Sequence, residues 1–263
     1  MSGHSKWSKI KHKKGVTDAK KGMIFTKLAK AITLAAGEGG GDPQMNFTLR
    51  LAIERAKAEN MPNENIVRAI KKGTGEIEGD QIQRISYEAL GPASSMYIID
   101  CATDNTNRTI AEIKRILENH SGKIVGSGSV AWQFEEKGLI IIRPAKLKKA
   151  EKYGVSDTYE PVKKEDAMME LMEVDGILDI AESTQADEDG NMFIVLEVFT
   201  TKKDFALVDR SVRNLHFQII SSELIKIAKN EKVLTGEEKN RVERLIEQLE
   251  EHDDVESVWT NIK

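Results

Sequence analysis

The sequence predicts an α+β protein: an all-helical N-terminal segment, then antiparallel sheets of ferredoxin-like type with helices on one face. Three observations carry this. Between residues 17 and 73 apolar residues recur at helical spacing. From about residue 80 onward, short β-branched runs alternate with helical periods and turn signals. Those units are too rich in hairpins for a parallel doubly wound sheet. With 263 residues, 40% of them hydrophobic and 31% charged, the chain has material for two or three domains.

Up to about Val16 the chain is polar, charged and aperiodic, which predicts an unfolded basic arm over residues 1–16. Thr17 is the expected N-cap of a helix reaching Gly37. Phe25, Leu28, Ile32 and Ala35 share one stripe of it, and Lys20, Lys27 and Lys30 lie on another face. GEGGGDP (37–43) is a break, and Asp42-Pro43 predicts an N-cap with proline at the first helical position. The next helix sets Leu49, Ala52, Ile53 and Ala56 on one face and stops near Met61-Pro62. A third, capped by Asn63 with Ile66, Val67 and Ile70 inside, ends at Gly73. Residues 17–78 are thus expected to form a helical domain.

RISYEAL and SMYIIDCA read as strands, and a helix from Arg108 to His120 carries Ile110, Ile113, Ile116 and Leu117. SVAWQF and GLIIIR read as two further strands, and residues 145–164 as a long charged connection. Then come a helix over about 165–174, strands at ILDIAE and MFIVLEVF about a DEDGN turn, and a helix with Phe205, Val208, Val212 and Leu215. Thr201-x-x-Asp204 is the capping box of that helix. IISSELIKIA is a strand, Thr235-x-x-Glu238 caps a helix with Val242, Leu245, Ile246 and Leu249, and VESVWTNI is the last strand. Two α+β units fit between residues 80 and 263, and the final β-α-β segment can complete either sheet.

The formal net charge of −4 averages two opposite halves. Residues 1–72 carry 15 Lys and Arg against 6 Asp and Glu, and the remainder carries 24 against 37. Cys101 is the only cysteine, which excludes an intrachain disulfide or a thiolate metal cluster and favours a reducing compartment. No apolar run reaches the 18 or so residues of a membrane span. The basic start has no apolar h-region, and residues 1–15 offer a presequence helix only Trp7 and Ile10. A mature, cytoplasmic N-terminus is expected.

Signatures of catalysis fail in context. GSGSVA (126–131) satisfies G-x-G-x-x-A but follows a helix and precedes a strand, the reverse of a dinucleotide loop. KKGTG (71–75) lacks the spacing of a P-loop, and in DEDGN the glycine comes too early for a calcium loop. The five histidines show no metal spacing. Cys101 reads as a small buried hydrophobe, and Met168, Met169 and Met172 as core. No cofactor, no metal and no enzymatic activity are expected.

The basic arm is the chemistry that survives. Lys6, Lys9, Lys11, Lys13, Lys14, Lys20 and Lys21, with His12, Lys27 and Lys30, supply point charges on flexible stems suited to a phosphate backbone. Trp7 adds a π-face for an unpaired base. Lysine without arginine forks favours backbone affinity over base reading. TDNTNRT (103–109) is the second candidate: Asp104, Asn105, Asn107 and Arg108 either cap a helix or form an anion-binding cleft loop at its N-terminus. The acidic body is a candidate surface for a protein partner.

MSGHSKWSKIKHKKGVTDAKKGMIFTKLAKAI, TDNTNRT, GSVAWQFEEKG, EVFTTKKDF and DDVESVWTNI together resemble the YebC/PmpR family over nearly the full length. The family includes a mitochondrial translational activator of cytochrome oxidase. The resemblance implies three domains around a cleft: residues 17–78, a middle α+β domain of 79–136 plus 221–263, and a domain of 137–220 inserted in it. It further implies a DNA-binding transcriptional regulator, or alternatively a ribosome- and RNA-associated translation factor. The chain departs from the family where YEGYGPGG is usual and YEALGPASS stands, losing an aromatic and three glycines. The 145–164 connection is longer than usual, and VDGILDIAE replaces an AGAEDVE-like stretch.

Overall fold

The computed structural model describes residues 18–79, 81–150, 157–187 and 189–263. Helix α1 (Asp18–Gly39) buries Leu28, Ile32, Ala35 and Ala36 against Leu49, Ile53 and Ala56 of α2 (Phe47–Ala58) and Ile66 and Ala69 of α3 (Asn63–Gly73). Gly73 lets α3 close on α1: a Cβ there would stand 2.3 Å from the Thr33 carbonyl oxygen and 2.7 Å from the Ala36 Cβ. No side chain larger than hydrogen fits that approach.

Two helix starts differ from the sequence expectation. Asp42 makes a turn, its Oδ1 accepting from the Gln44 N–H (2.8 Å), and α2 begins at Phe47 with Asn46 as N-cap. Asn46 Oδ1 accepts from the Leu49 N–H (3.0 Å), and its Nδ2 donates to the carbonyls of Ala35 (2.7 Å) and Gly40 (2.8 Å). This buried amide both caps α2 and ties it to the end of α1, a double role that Asp42 cannot play. Pro62, not Asn63, holds the cap position of α3, without a side-chain hydrogen bond, and Val67 faces outward.

The described chain divides into two compact units. One runs to Glu135 and resumes over Ile227–Lys263; the other is Glu136–Lys226. In the first, α1–α3 precede an antiparallel sheet of order β3-β1-β2-β9, built from β1 (Gln83–Leu90), β2 (Met96–Thr103), β3 (Lys123–Val125) and β9 (Val255–Thr260). The final segment therefore completes this sheet: Ile99 pairs with Val258 and Ile98 with Trp259. Helices α4 (Thr106–Asn119) and α7 (Gly236–Glu250) pack together and bury Ile113, Leu117, Val242, Leu245, Ile246 and Leu249. Because the sheet opens with a β1–β2 hairpin, its order departs from the ferredoxin-like one.

The second unit runs β4 (Phe134–Lys148), β5 (Thr158–Pro161), α5 (Lys164–Met172), β6 (Ile177–Ala186), β7 (Met192–Thr201), α6 (Phe205–Asn214) and β8 (Phe217–Ala228). The order β5-β4-β7-β6, with β8 also on β4, is ferredoxin-like with β5 added. The architecture is α+β with a helical N-terminal region, as the periodicities predict. Three local expectations are corrected. SVAWQF is no strand: Ala131–Gln133 forms one 3-10 turn, and β4 starts at Phe134 and continues unbroken through GLIIIR. The 145–164 connection holds the end of β4 and the short β5. On α5, Ala167 and Leu171 are buried, whereas Met169 and Met172 are exposed.

Candidate functional site

The turn between α7 and β9 carries Asp254, a carboxylate only 2% exposed. Its Oδ1 accepts from Lys30 Nζ of α1 (2.5 Å). Its Oδ2 accepts from the hydroxyls of Thr109 (2.6 Å) and Thr103 (3.1 Å) and from Arg108 Nη2 (3.1 Å). Burial opposes the charge, but the bonds from Lys30, Thr109 and Arg108 outweigh it and hold the carboxyl far below the usual range. TDNTNRT is therefore a cap whose cationic end faces an internal anion. Asn105 Oδ1 accepts from the Arg108 N–H (3.1 Å), Thr103 Oγ1 accepts from the Asn105 N–H (2.9 Å), and Arg108 also pairs with Asp104 (2.7 Å). Nothing in the spacing of the sequence links Asp254 to residues 103–109 or to Lys30; only the return of β9 beside β2 does.

Glu112, His252 and Asp254 bring one ligand atom each within 4.8 Å of one another, a convergence the sequence does not reveal. They suit a metal poorly. Asp254 is already satisfied by two cations and two hydroxyls, His252 Nδ1 accepts from the Asp254 N–H (3.1 Å), and Nε2 faces Glu112 at 2.9 Å. A cation would have to displace Lys30 and Arg108, so Asp254 is the anchor of an internal ion-pair cluster.

A second internal anion explains GSGSVA. Glu88 on β1 is 8% exposed, and its carboxylate accepts from the N–H groups of Gly128 (2.6 Å), Val130 (2.6 Å) and Ala131 (3.0 Å). Burial raises its pKa, and donation from Val130, Gly128, Ala131 and Ser129 lowers it further than burial lifts it. The amides that resemble a phosphate cradle hold the protein's own carboxylate. Cys101 is fully buried, and burial, with the charges of Asp100, Asp254 and Glu256, pushes its thiol up to about 12, leaving no reactive thiolate.

The predicted nucleic-acid residues separate into groups. Lys6, Trp7, Lys9, Lys11, His12, Lys13 and Lys14 lie outside the described residues, as do Thr17 and the side chain of Lys20. Lys21 is exposed on α1. Lys27 and Lys30, expected on a free face, turn inward: Lys27 Nζ donates to the Glu250 carbonyl and Lys30 Nζ to Asp254. Asn107 is exposed in the first turn of α4, beside the Asp104–Arg108 pair.

Residues 5–76 match the family model described as TACO1/YebC protein N-terminal domain, and residues 82–262 match that of the TACO1/YebC second and third domain. A probable transcriptional regulatory protein of Caldanaerobacter subterraneus is 41% identical over 263 residues, spanning 100% of this chain and 98% of that one. One from Natranaerobius thermophilus is 41% identical over 261 residues, 99% and 96% of the two chains. Among solved structures, a conserved hypothetical protein of Aquifex aeolicus superposes with a TM-score of 0.76 at 34% identity, covering 98% of this chain and 96% of its own. Both halves match family models and the match to relatives is full-length: the chain belongs to the TACO1/YebC family.

Proposed function

We propose that this protein is a non-enzymatic, cytoplasmic regulator of gene expression that grips nucleic acid through its basic N-terminal arm. The observation that carries this is the polarity of charge, with nine lysines and one acid up to Lys30 at the head of an acidic chain. In this reading the phosphate contacts belong to residues 6–21, since Lys27 and Lys30 already bond within the protein. The two other anion-site candidates, at Arg108 and at GSGSVA, already hold Asp254 and Glu88. Relatives named as probable transcriptional regulatory proteins support the regulatory role, for which DNA is the ligand of the first reading. The second reading, a ribosome- or RNA-associated translation factor, rests on the sequence offering no clear recognition helix rich in Arg, Asn and Gln for the DNA major groove. The acidic body is the proposed surface for a protein partner.

The test is a salt titration of affinity for a DNA duplex and a ribosomal RNA fragment, with the full chain and with residues 1–16 deleted. Several phosphate contacts predict a loss of at least tenfold on deletion and a shallower salt slope. Unchanged affinity and slope would remove the arm from the mechanism.

A further inference from the structure

The loop after β3 leaves its largest side chain outside. Trp132 is 59% exposed, although its neighbours Val130, Gln133 and Phe134 are buried. Val130 and Phe134 join Ile98 and Ala228 in a small core that Trp259 also lines, and Trp132 has no place in it. The backbone beneath it is held from several sides. Glu88 grips the N–H groups of residues 128, 130 and 131; the Gln133 carbonyl accepts from the Lys229 N–H (2.8 Å); and Gln133 Nε2 donates to the Asn230 carbonyl (3.0 Å). Lys229 Nζ donates to the Trp132 carbonyl (2.7 Å), which holds an exposed ammonium, with further N–H groups to give, against the backbone of the same residue. Indole Nε1 donates to the Ser129 carbonyl (2.9 Å), so the ring's only polar atom is satisfied within the loop.

What such a ring offers a partner is its π-face. A protein partner that docks by burial needs contiguous apolar surface. The exposed residues around it are instead mostly small or polar, among them Ser127, Gly128, Ser129, Glu135, Lys229 and Asn230. A flat, polar-edged group bearing a negative charge fits better: the ring stacks and the charge meets the ammonium. We propose that Trp132 is a stacking platform for an unpaired nucleobase, with Lys229 beside it to meet the adjoining phosphate. The inference rests on the nucleic-acid reading above and deepens it, adding on the folded body a contact for single strands that is separate from the arm. Glu135, an exposed acid next along β4, favours approach of the phosphate from the Lys229 side.

The experiment uses the full chain carrying Trp7→Phe, so that only Trp132 and the half-buried Trp259 fluoresce. It is titrated with a ten-nucleotide oligo(dT), a ten-nucleotide oligo(U) and a blunt DNA duplex. Saturation with a single strand is expected to quench emission. Adding Trp132→Ala should abolish that quench and weaken single-strand binding by about fivefold to a hundredfold, with duplex affinity unchanged. Trp132→Phe should restore binding to within a few fold, which separates stacking from damage to the loop. Preference for oligo(U) or for oligo(dT) identifies the strand and supports the proposal either way. Equal single-strand affinity with and without Trp132 overturns it while the arm's role stands. If the Trp7→Phe protein and the wild type bind no oligonucleotide even at low salt, the functional reading falls and this inference with it.

Discussion

Asp254 shows how one residue can fasten three elements. Its carboxylate joins Lys30 of α1 to Arg108 and Thr109 of α4 from the turn before β9. Removing the charge leaves a half-buried ammonium and a guanidinium facing a neutral group. Asp254→Asn is expected to lower unfolding free energy by about 3 kcal/mol in urea denaturation; a loss below about 1 kcal/mol would show that solvent already screens the cluster. Asp254 and Glu88 are both held below their ordinary pKa values in the fold. A carboxylate depressed on folding contributes its full stability above its unfolded pKa, about 4, and loses it as pH falls through the folded value. The urea midpoint should therefore be flat near neutrality and fall below about pH 4, less steeply in Asp254→Asn. Ala93 and Ser94 present the opposite case. They sit at φ 55° and 57°, left-handed backbone, where the family's usual GPGG carries glycines and this chain has GPAS. Ser94→Gly should stabilise by about 0.5 kcal/mol, the relief of strain exceeding the added unfolded-state freedom; a lower midpoint would mean that the serine makes a compensating contact.

At the scale of elements, capping separates helices that look alike in sequence. Thr201-x-x-Asp204 and Thr235-x-x-Glu238 carry the same signature. Thr201 Oγ1 accepts from the Asp204 N–H (3.0 Å) and donates to the Asp204 carboxylate (2.7 Å), fastening the turn that leads into α6, although Asp204 itself holds the cap position and makes no side-chain cap bond. Thr235 holds the cap position of α7 without a side-chain cap bond. Thr201→Ala should cost about 1 kcal/mol and Thr235→Ala no more than a few tenths, read from paired thermal melts. Equal costs would show that the Thr201 bonds add nothing to the start of α6. The replacement of a predicted strand by the 126–133 loop has the same origin: a tertiary acceptor, Glu88, outcompetes the ladder for the amides of residues 128–131.

At the scale of the molecule, the ferredoxin-like unit interrupts another fold. Its first and last strands, β4 and β8, pair with each other, and just outside them the Lys229 N–H meets the Gln133 carbonyl at 2.8 Å. The two ends of the insertion are therefore close. Residues 136–226 carry their own buried set, including Ile140, Ile142, Leu171, Leu196, Val198, Phe205 and Val212. Expressed alone, this segment should fold, with dispersed amide NMR signals and a cooperative thermal transition. The remainder, closed by a short glycine-serine link between residues 135 and 227, should do the same. A collapsed, non-cooperative fragment would show that neither core is sufficient alone.

Apart from SVAWQF and β5, the sequence by itself determined the helix and strand types, with the stripes Leu28–Ile32–Ala35 and Phe205–Val208–Val212, the burial of Cys101 and the basic head on an acidic chain. All of these follow from periodicity and composition, which act over a few residues or over the sum of them. It resolved no partner for Lys30, Arg108 or Glu88, because each bonds across 40 or more positions and nothing local favours one distant acceptor over another. Strand order was beyond it too: the last segment pairs with β2 only because an entire unit returns the chain to where it left. Tertiary structure thus turned two apparent anion sites into holders of the protein's own carboxylates and drew two lysines into internal bonds. The physical reason is common to all four: a buried charge must be matched by whatever the fold brings near it, and that proximity is not written in spacing.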